Sequence, residues 1–151
     1  MVKVLQHNIF IVDDDEVYGK SLCRLLKSVG YSVRPFSSAQ SFLDSVPAAD
    51  ETGVLILDLR MPGMDGFDLQ KRLNELASRL EIIFITADAQ PGDRERALGS
   101  GAMAFLQKPF EEQILLEALN SALSRFEDEN HMKKSNKRCE NEDTTPSEKE
   151  Q

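Results

Sequence analysis

Gly53-Val54-Leu55-Ile56-Leu57-Asp58-Leu59-Arg60-Met61-Pro62-Gly63-Met64-Asp65-Gly66 is the stretch whose reading decides the fold. Its first five residues are apolar, with no polar alternation, and they end at a carboxylate. A strand that faces water on one side alternates; a strand covered on both sides reads as a continuous apolar run. The segment Gly53–Leu57 is therefore a strand of a parallel sheet with helices on both faces. The Met, Pro, Gly and Asp residues that follow make a turn-rich loop. A helix is predicted from Phe67 to about Ser78.

The same pattern recurs on both sides of this stretch. Val4 to Val12 ends in Phe10-Ile11-Val12 and stops at Asp13-Asp14-Asp15. A helix over Glu16–Val29 follows, with Val17, Leu22, Leu25, Leu26 and Val29 assigned to one side and Gly30 as its stop. Tyr31–Phe36 is a second strand, and Ser37 or Ser38 caps a short helix carrying Ala39, Phe42 and Leu43. Glu81–Ile85 is a fourth strand, ending at Thr86. Pro91 is placed to open a helix that stops near Gly99 or Gly101. Met103–Leu106 is a fifth strand, ending at Lys108-Pro109. The last helix runs from Glu111 to about Phe126, with Ile114, Leu115, Ala118, Leu119 and Leu123 inward. Five strands alternating with five helices predict an α/β fold, a doubly wound parallel sheet with right-handed crossovers.

Composition limits the rest. A chain of 151 residues with 40% apolar content can bury a core and favours one domain. We read 1–126 as that domain and 127–151 as a polar tail expected to be disordered. No apolar run approaches the roughly 18–20 residues a membrane helix needs, and no signal peptide is visible, so a cytoplasmic protein is expected. The net charge is −8, from 18 basic and 26 acidic residues. The only basic run, Lys133-Lys134-Ser135-Asn136-Lys137-Arg138, is flanked by acid, so direct nucleic-acid binding is not expected. Cys23 and Cys139 form no ligand pair; Cys23 reads as a core residue. His7 reads as a surface imidazole.

In such sheets ligands sit beyond the carboxyl ends of the strands, near the point where strand order reverses. The groups there are Asp13, Asp14 and Asp15 after the first strand, Asp58 after the third, Thr86 after the fourth and Lys108 after the fifth. The second strand offers nothing ionisable, which suits the order 2-1-3-4-5. Several carboxylates at one sheet edge repel each other unless a cation compensates. A hard divalent ion fits an all-oxygen set, and Mg²⁺ suits few carboxylates with retained waters. Mg²⁺ also bridges phosphoryl oxygens, a lysine supplies a point charge, and a threonine hydroxyl supplies a donor. One carboxylate is then free to act as nucleophile and form an acyl phosphate. Each group alone has a blander reading, as a helix cap, a loop or a solvated surface; the weight lies in their joint placement.

The chain from about Val4 to Phe126 resembles the receiver domains of bacterial two-component response regulators. The matching stretches are Ile11-Val12-Asp13-Asp14-Asp15, the DxxMPxxxG pattern from Asp58 to Gly66, Ile85-Thr86-Ala87 and Lys108-Pro109-Phe110. The resemblance implies a flavodoxin-like sheet and a phosphoacceptor at Asp58. It implies Asp14 as a direct Mg²⁺ ligand, Asp13 acting largely through water, and the main-chain carbonyl of Arg60 completing the set. Asp15 belongs to the helix start. Thr86 would bond the phosphoryl group, Lys108 would pair with it, and Lys108-Pro109 would be cis. Thr86 and Phe105 would form the switch, Phe105 turning inward as Thr86 moves. The face made by the fourth helix, fifth strand and fifth helix would change, and phosphorylation-dependent homodimerisation there is one expectation. Arg60 and Asp88, two residues beyond Asp58 and Thr86, would tune the phosphoryl lifetime. Met64 and Phe67 are read as packing.

The implied partners are a sensor histidine kinase or phosphotransfer protein and a downstream protein target, with no direct nucleic acid and no membrane. The motifs resemble those of receivers that precede LuxR-type DNA-binding domains. A stand-alone receiver is the preferred reading, with the receiver part of a truncated DNA-binding regulator as the alternative. A second rival is an interaction module that has lost phosphorylation, which the intact acidic, Thr and Lys positions oppose. A dehalogenase-like phosphatase requires an acid two residues after the nucleophile; Arg60 stands there.

Overall fold

A computed structural model describes residues 8–126, with side chains. Five parallel strands are flanked by helices in strict alternation. They are β1 (Asn8–Val12), α1 (Glu16–Ser28), β2 (Ser32–Phe36), α2 (Ala39–Ser45), β3 (Gly53–Asp58), α3 (Gly66–Glu75), β4 (Glu81–Thr86), α4 (Asp93–Gly99) and β5 (Ala104–Gln107). Residues 112–126 form the fifth helix, α5. The sheet order is β2-β1-β3-β4-β5, as the acidic strand ends led us to expect.

Alternate residues of the strands build two cores. Phe10, Val12, Leu55, Leu57, Ile82 and Phe84 meet α2, α3 and α4. Ile9, Ile11, Val54, Ile56, Ile83 and Ile85 meet α1 and α5. Both faces of β3 are buried along its whole length, which is why its sequence shows no alternation.

Register sets the site. Val12 pairs with Leu57, Asp58 with Ile85 and Thr86 with Gln107. Asp13 and Asp58 thus stand level at the sheet edge, with Thr86 one residue and Lys108 two residues further along their strands. Gly66 lets α3 close against that edge. A Cβ there would lie 2.8 Å from the Asp58 carbonyl oxygen and 2.8 Å from the Phe84 ring. Asp65 caps α3 by accepting from the Asp68 amide at 2.9 Å, and Asp68 accepts in return from the Asp65 amide at 3.1 Å.

Several local expectations are corrected. Val17 is 77% exposed and Val29 50% exposed. The buried stripe of α1 is Gly19, Leu22, Cys23 and Leu26. Five residues separate Val17 from Leu22, about 140° around a helix axis, so the two cannot share a face. Val29 is the C-cap, beyond the last turn. Ile114 is 43% exposed; Leu115, Leu119, Ala122, Leu123 and Phe126 line the inner face of α5. The third helix stops at Glu75 rather than near Ser78, because Ala77 turns to φ 55°. Pro91 does not open α4; the chain turns at Gly92 (φ 88°) and the helix begins at Asp93. The first strand is described only from Asn8. His7, Cys139 and the tail 127–151 lie outside the described residues.

Candidate functional site

The parallel register draws three carboxylates together. Oxygens of Asp13, Asp14 and Asp58 all lie within 4.8 Å of one another. Asp13 and Asp58 are buried and Asp14 is exposed. Asp13 is held from two sides: its Oδ1 accepts from the Asp15 amide at 2.9 Å, and its Oδ2 accepts from Lys108 Nζ at 3.0 Å. Lys108 Nζ also stands 3.9 Å from Asp58 Oδ1. The lysine reaches this position from the turn after β5, where the Lys108-Pro109 peptide is cis.

The charges do not balance. Burial and the neighbouring Asp13 push Asp58 up to about 7, against the opposing pull of Lys108, and a hydrogen bond with Asp14 adds to the rise. One ammonium among three carboxylates leaves a deficit of positive charge, and a divalent cation is the physical remedy. The donor set is all oxygen, with one carboxylate open to water. It fits a hard ion that keeps several waters, as Mg²⁺ does. No described group donates to the Arg60 carbonyl, so that oxygen is free to serve as a further ligand.

Thr86 is fully buried, and its Oγ accepts from the Asp88 amide at 3.1 Å. Phe105 is only 7% exposed, with its ring 6.3 Å from that of Phe84. It is thus already inward in this structure. Arg94 on α4 donates to the Phe105 carbonyl at 2.9 Å. Asp15 is the N-cap of α1, accepting from the Tyr18 amide at 3.1 Å, and so stands at the helix start. Phe67 is buried, Met64 packs partly against the same core, and Cys23 is buried.

Residues 9–120 match the model of the response regulator receiver domain. The chain belongs to the response-regulator receiver family. Receivers are signalling domains of two-component phosphorelays, and the family binds Mg²⁺ at an acidic pocket. This receiver is 44% identical over 115 residues to the response regulator protein TodT of Pseudomonas putida, covering 76% of this chain and 50% of TodT. It is 38% identical over 120 residues to the transcriptional regulatory protein FixJ of Bradyrhizobium diazoefficiens, covering 80% of this chain and 58% of FixJ. The chain spans about half the length of the curated relatives it matches. Among solved structures, the response regulator StyR aligns with TM-score 0.79 at 36% identity, over 91% of this chain and 69% of StyR. The FixJ-N crystal structure aligns with TM-score 0.73 at 36% identity, over 80% of this chain and 96% of FixJ-N. Among the described residues of this receiver, no helix is long and apolar enough to cross a membrane.

Two neighbours of the site escaped the sequence reading. Tyr18, in the first turn of α1, presents its ring 4.0 Å from Lys108 Nζ. Burial, Asp13 and Asp58 together push its hydroxyl up to about 12. Its place just after the aspartate run was a weak signal. Asp93, at the start of α4, is 8% exposed and pairs with Arg60. No sequence signal linked those two.

Proposed function

We propose that Asp58 accepts a phosphoryl group from a sensor histidine kinase or phosphotransfer protein, in the cytoplasm, and that the modified receiver controls a downstream protein target. The observation that carries this reading is the meeting of Asp13, Asp14 and Asp58 within 4.8 Å, with Lys108 shared between two of them. An Asp58 carboxylate oxygen forms a bond to phosphorus as the bond from phosphorus to the donor's histidine nitrogen breaks. The electron pair leaves with that nitrogen. Lys108 pairs with a phosphoryl oxygen, and the Thr86 hydroxyl turns from the Asp88 amide to donate to another. Asp14, Asp13, Asp58 and the Arg60 carbonyl would hold Mg²⁺, which would supply positive charge to the phosphoryl oxygens.

Phosphorylation adds roughly −1.5 to −2 charges at pH 7. Thr86 lies on β4 two residues after Phe84, whose ring is 6.3 Å from that of Phe105 on β5. We read Thr86 and Phe105 as the switch that changes the α4–β5–α5 face, by a shift between two packings. The same face is a candidate for a phosphorylation-dependent homodimer. We read Arg60 and Asp88 as tuning the phosphoryl lifetime, and slow self-catalysed loss of the group as what resets the domain.

Intact-mass analysis after treatment with acetyl phosphate and Mg²⁺ tests the reading. A gain of one phosphoryl group in the wild type but not in Asp58→Asn is expected. No gain in the wild type would leave an interaction module that works without phosphorylation.

A further inference from the structure

Lys108 touches more than carboxylates. Its Nζ lies 3.0 Å from Asp13 Oδ2, 3.9 Å from Asp58 Oδ1 and 4.0 Å from the centroid of the Tyr18 ring. The ammonium therefore has an anion on two sides and an aromatic face on a third. A cation over a ring face is attracted by the ring quadrupole, and the attraction grows as water is removed. The Lys108 side chain is only 16% exposed. Tyr18 itself is half-buried, leaning on the core below α1 and α5. Its backbone is fixed, because its amide donates to the Asp15 cap. No described group bonds the Tyr18 hydroxyl, so the ring, not the hydroxyl, makes the contact.

The geometry points to Tyr18 as the positioning residue for Lys108: its ring face holds the ammonium over the Asp13 and Asp58 carboxylates and keeps water from its open side. This inference rests on the reading of Asp58 as phosphoacceptor. A lysine has a long flexible stem, and an unheld ammonium spends much of its time solvated. Held by the ring, it is already oriented when charge develops on the phosphoryl group, with little reorganisation left to do. Tyr18 touches no reacting atom in this scheme; it acts through Lys108.

The test compares Tyr18→Phe and Tyr18→Leu in the full chain. Initial rates of phosphorylation by acetyl phosphate with Mg²⁺ are read by intact mass. Tyr18→Leu should slow phosphorylation by roughly 3- to 10-fold, the range a partly desolvated cation–ring contact supplies. Tyr18→Phe, which keeps the ring, should stay within about twofold of wild type. In a Lys108→Met background the Tyr18→Leu change should lose its effect, which a merely structural role would not do.

A fluorescence measurement stands apart from any substitution at the site. Tyr18 and Tyr31 are the 2 tyrosines, and there is no Trp. In Tyr31→Phe, emission from Tyr18 alone should change when beryllofluoride and Mg²⁺ occupy the pocket, because the charge around the Lys108 ammonium on its ring face then changes. Equal rates for Tyr18→Leu and wild type, a loss in Tyr18→Phe as large as in Tyr18→Leu, or unchanged Tyr18 emission would overturn the inference. Failure of the wild type itself to gain a phosphoryl group would instead sink the assignment of Asp58.

Discussion

Arg60 and Asp93 are joined by an ion pair that ties the loop after β3 to the first turn of α4. Asp93 also accepts from the Gln90 amide at 2.8 Å, and the Arg60 Nε reaches the Asp88 carbonyl at 3.5 Å. The loop that follows Thr86 is therefore held from the acceptor side of the sheet. The Arg60 side chain is 38% exposed and that of Asp93 11% exposed, so water screens one partner and not the other. Arg60→Met leaves a nearly buried carboxylate short of a partner and should cost about 1–2 kcal/mol in urea denaturation. Asp93→Asn should cost about 1 kcal/mol or less, and the double variant less than the sum. Additive losses would show that the pair contributes nothing.

Protonation of Asp58 gives stability a pH dependence. Its folded value is about 7 against an ordinary 3.8. Between these values the folded chain keeps a proton that the unfolded chain has released. Folding stability in the absence of Mg²⁺ therefore falls as pH rises through this window, and it stays lowered above it. Urea denaturation at pH 5 and pH 8 should give a drop in wild-type stability that exceeds the drop in Asp58→Asn by roughly 1–3 kcal/mol. Saturating Mg²⁺ at pH 8 should raise the wild-type midpoint more than that of the variant.

Loss of Lys108 should act in the same direction. Lys108→Met leaves Asp13 buried beside Asp58 with the Asp15 amide as its remaining donor. At pH 8 without Mg²⁺ the fold should lose roughly 2 kcal/mol. Mg²⁺ should recover part of this, because it supplies positive charge to the same carboxylates. A variant as stable as wild type would mean that the Lys108–Asp13 contact is not maintained in solution.

The role of Gly66 separates packing from backbone strain. Gly66→Ala places a methyl group against the Asp58 carbonyl and the Phe84 ring. Overpacking of this kind costs about 1–3 kcal/mol, and it should slow phosphorylation by pushing α3 away from the acceptor strand. Gly63 has φ 73°, and a Cβ there would meet nothing within 4 Å. Gly63→Ala should cost about 1 kcal/mol through strain alone and leave phosphorylation unchanged. Thermal melts with acetyl phosphate rates distinguish the two.

The sheet was legible because β3 and β4 are covered on both faces and so read as apolar runs ending in Asp58 and Thr86. Strand order followed from the one strand, β2, whose end adds none of the candidate site residues. The cluster was legible because four of its groups sit at strand ends, where sequence position and spatial position coincide. Side-chain reach was not. Tyr18 meets Lys108 and Arg60 meets Asp93 through long flexible groups from elements far apart in the chain, and Arg94 reaches the Phe105 carbonyl on the strand that follows its own helix. Helical periodicity misassigned Val17 and Ile114 for a related reason: both sit in first turns, where an apolar side chain can face water beside the inward stripe. The helix start at Asp93 was hidden because Pro91 is an acceptable first helical residue, and only Gly92 in its left-handed conformation displaces it.

The joining of Lys108 to Asp13 spans 95 residues. The strands that carry the carboxylates and the ammonium, β1, β3 and β5, must pair through β4 before these groups meet. Contacts of such long sequence separation form only when the loops between them have closed. The pocket is thus a certificate of finished folding: a nascent or partly unfolded chain holds the loop around Asp58 but not the charge arrangement beside it. On the proposed assignment of Asp58, uptake of a phosphoryl group would count intact molecules only.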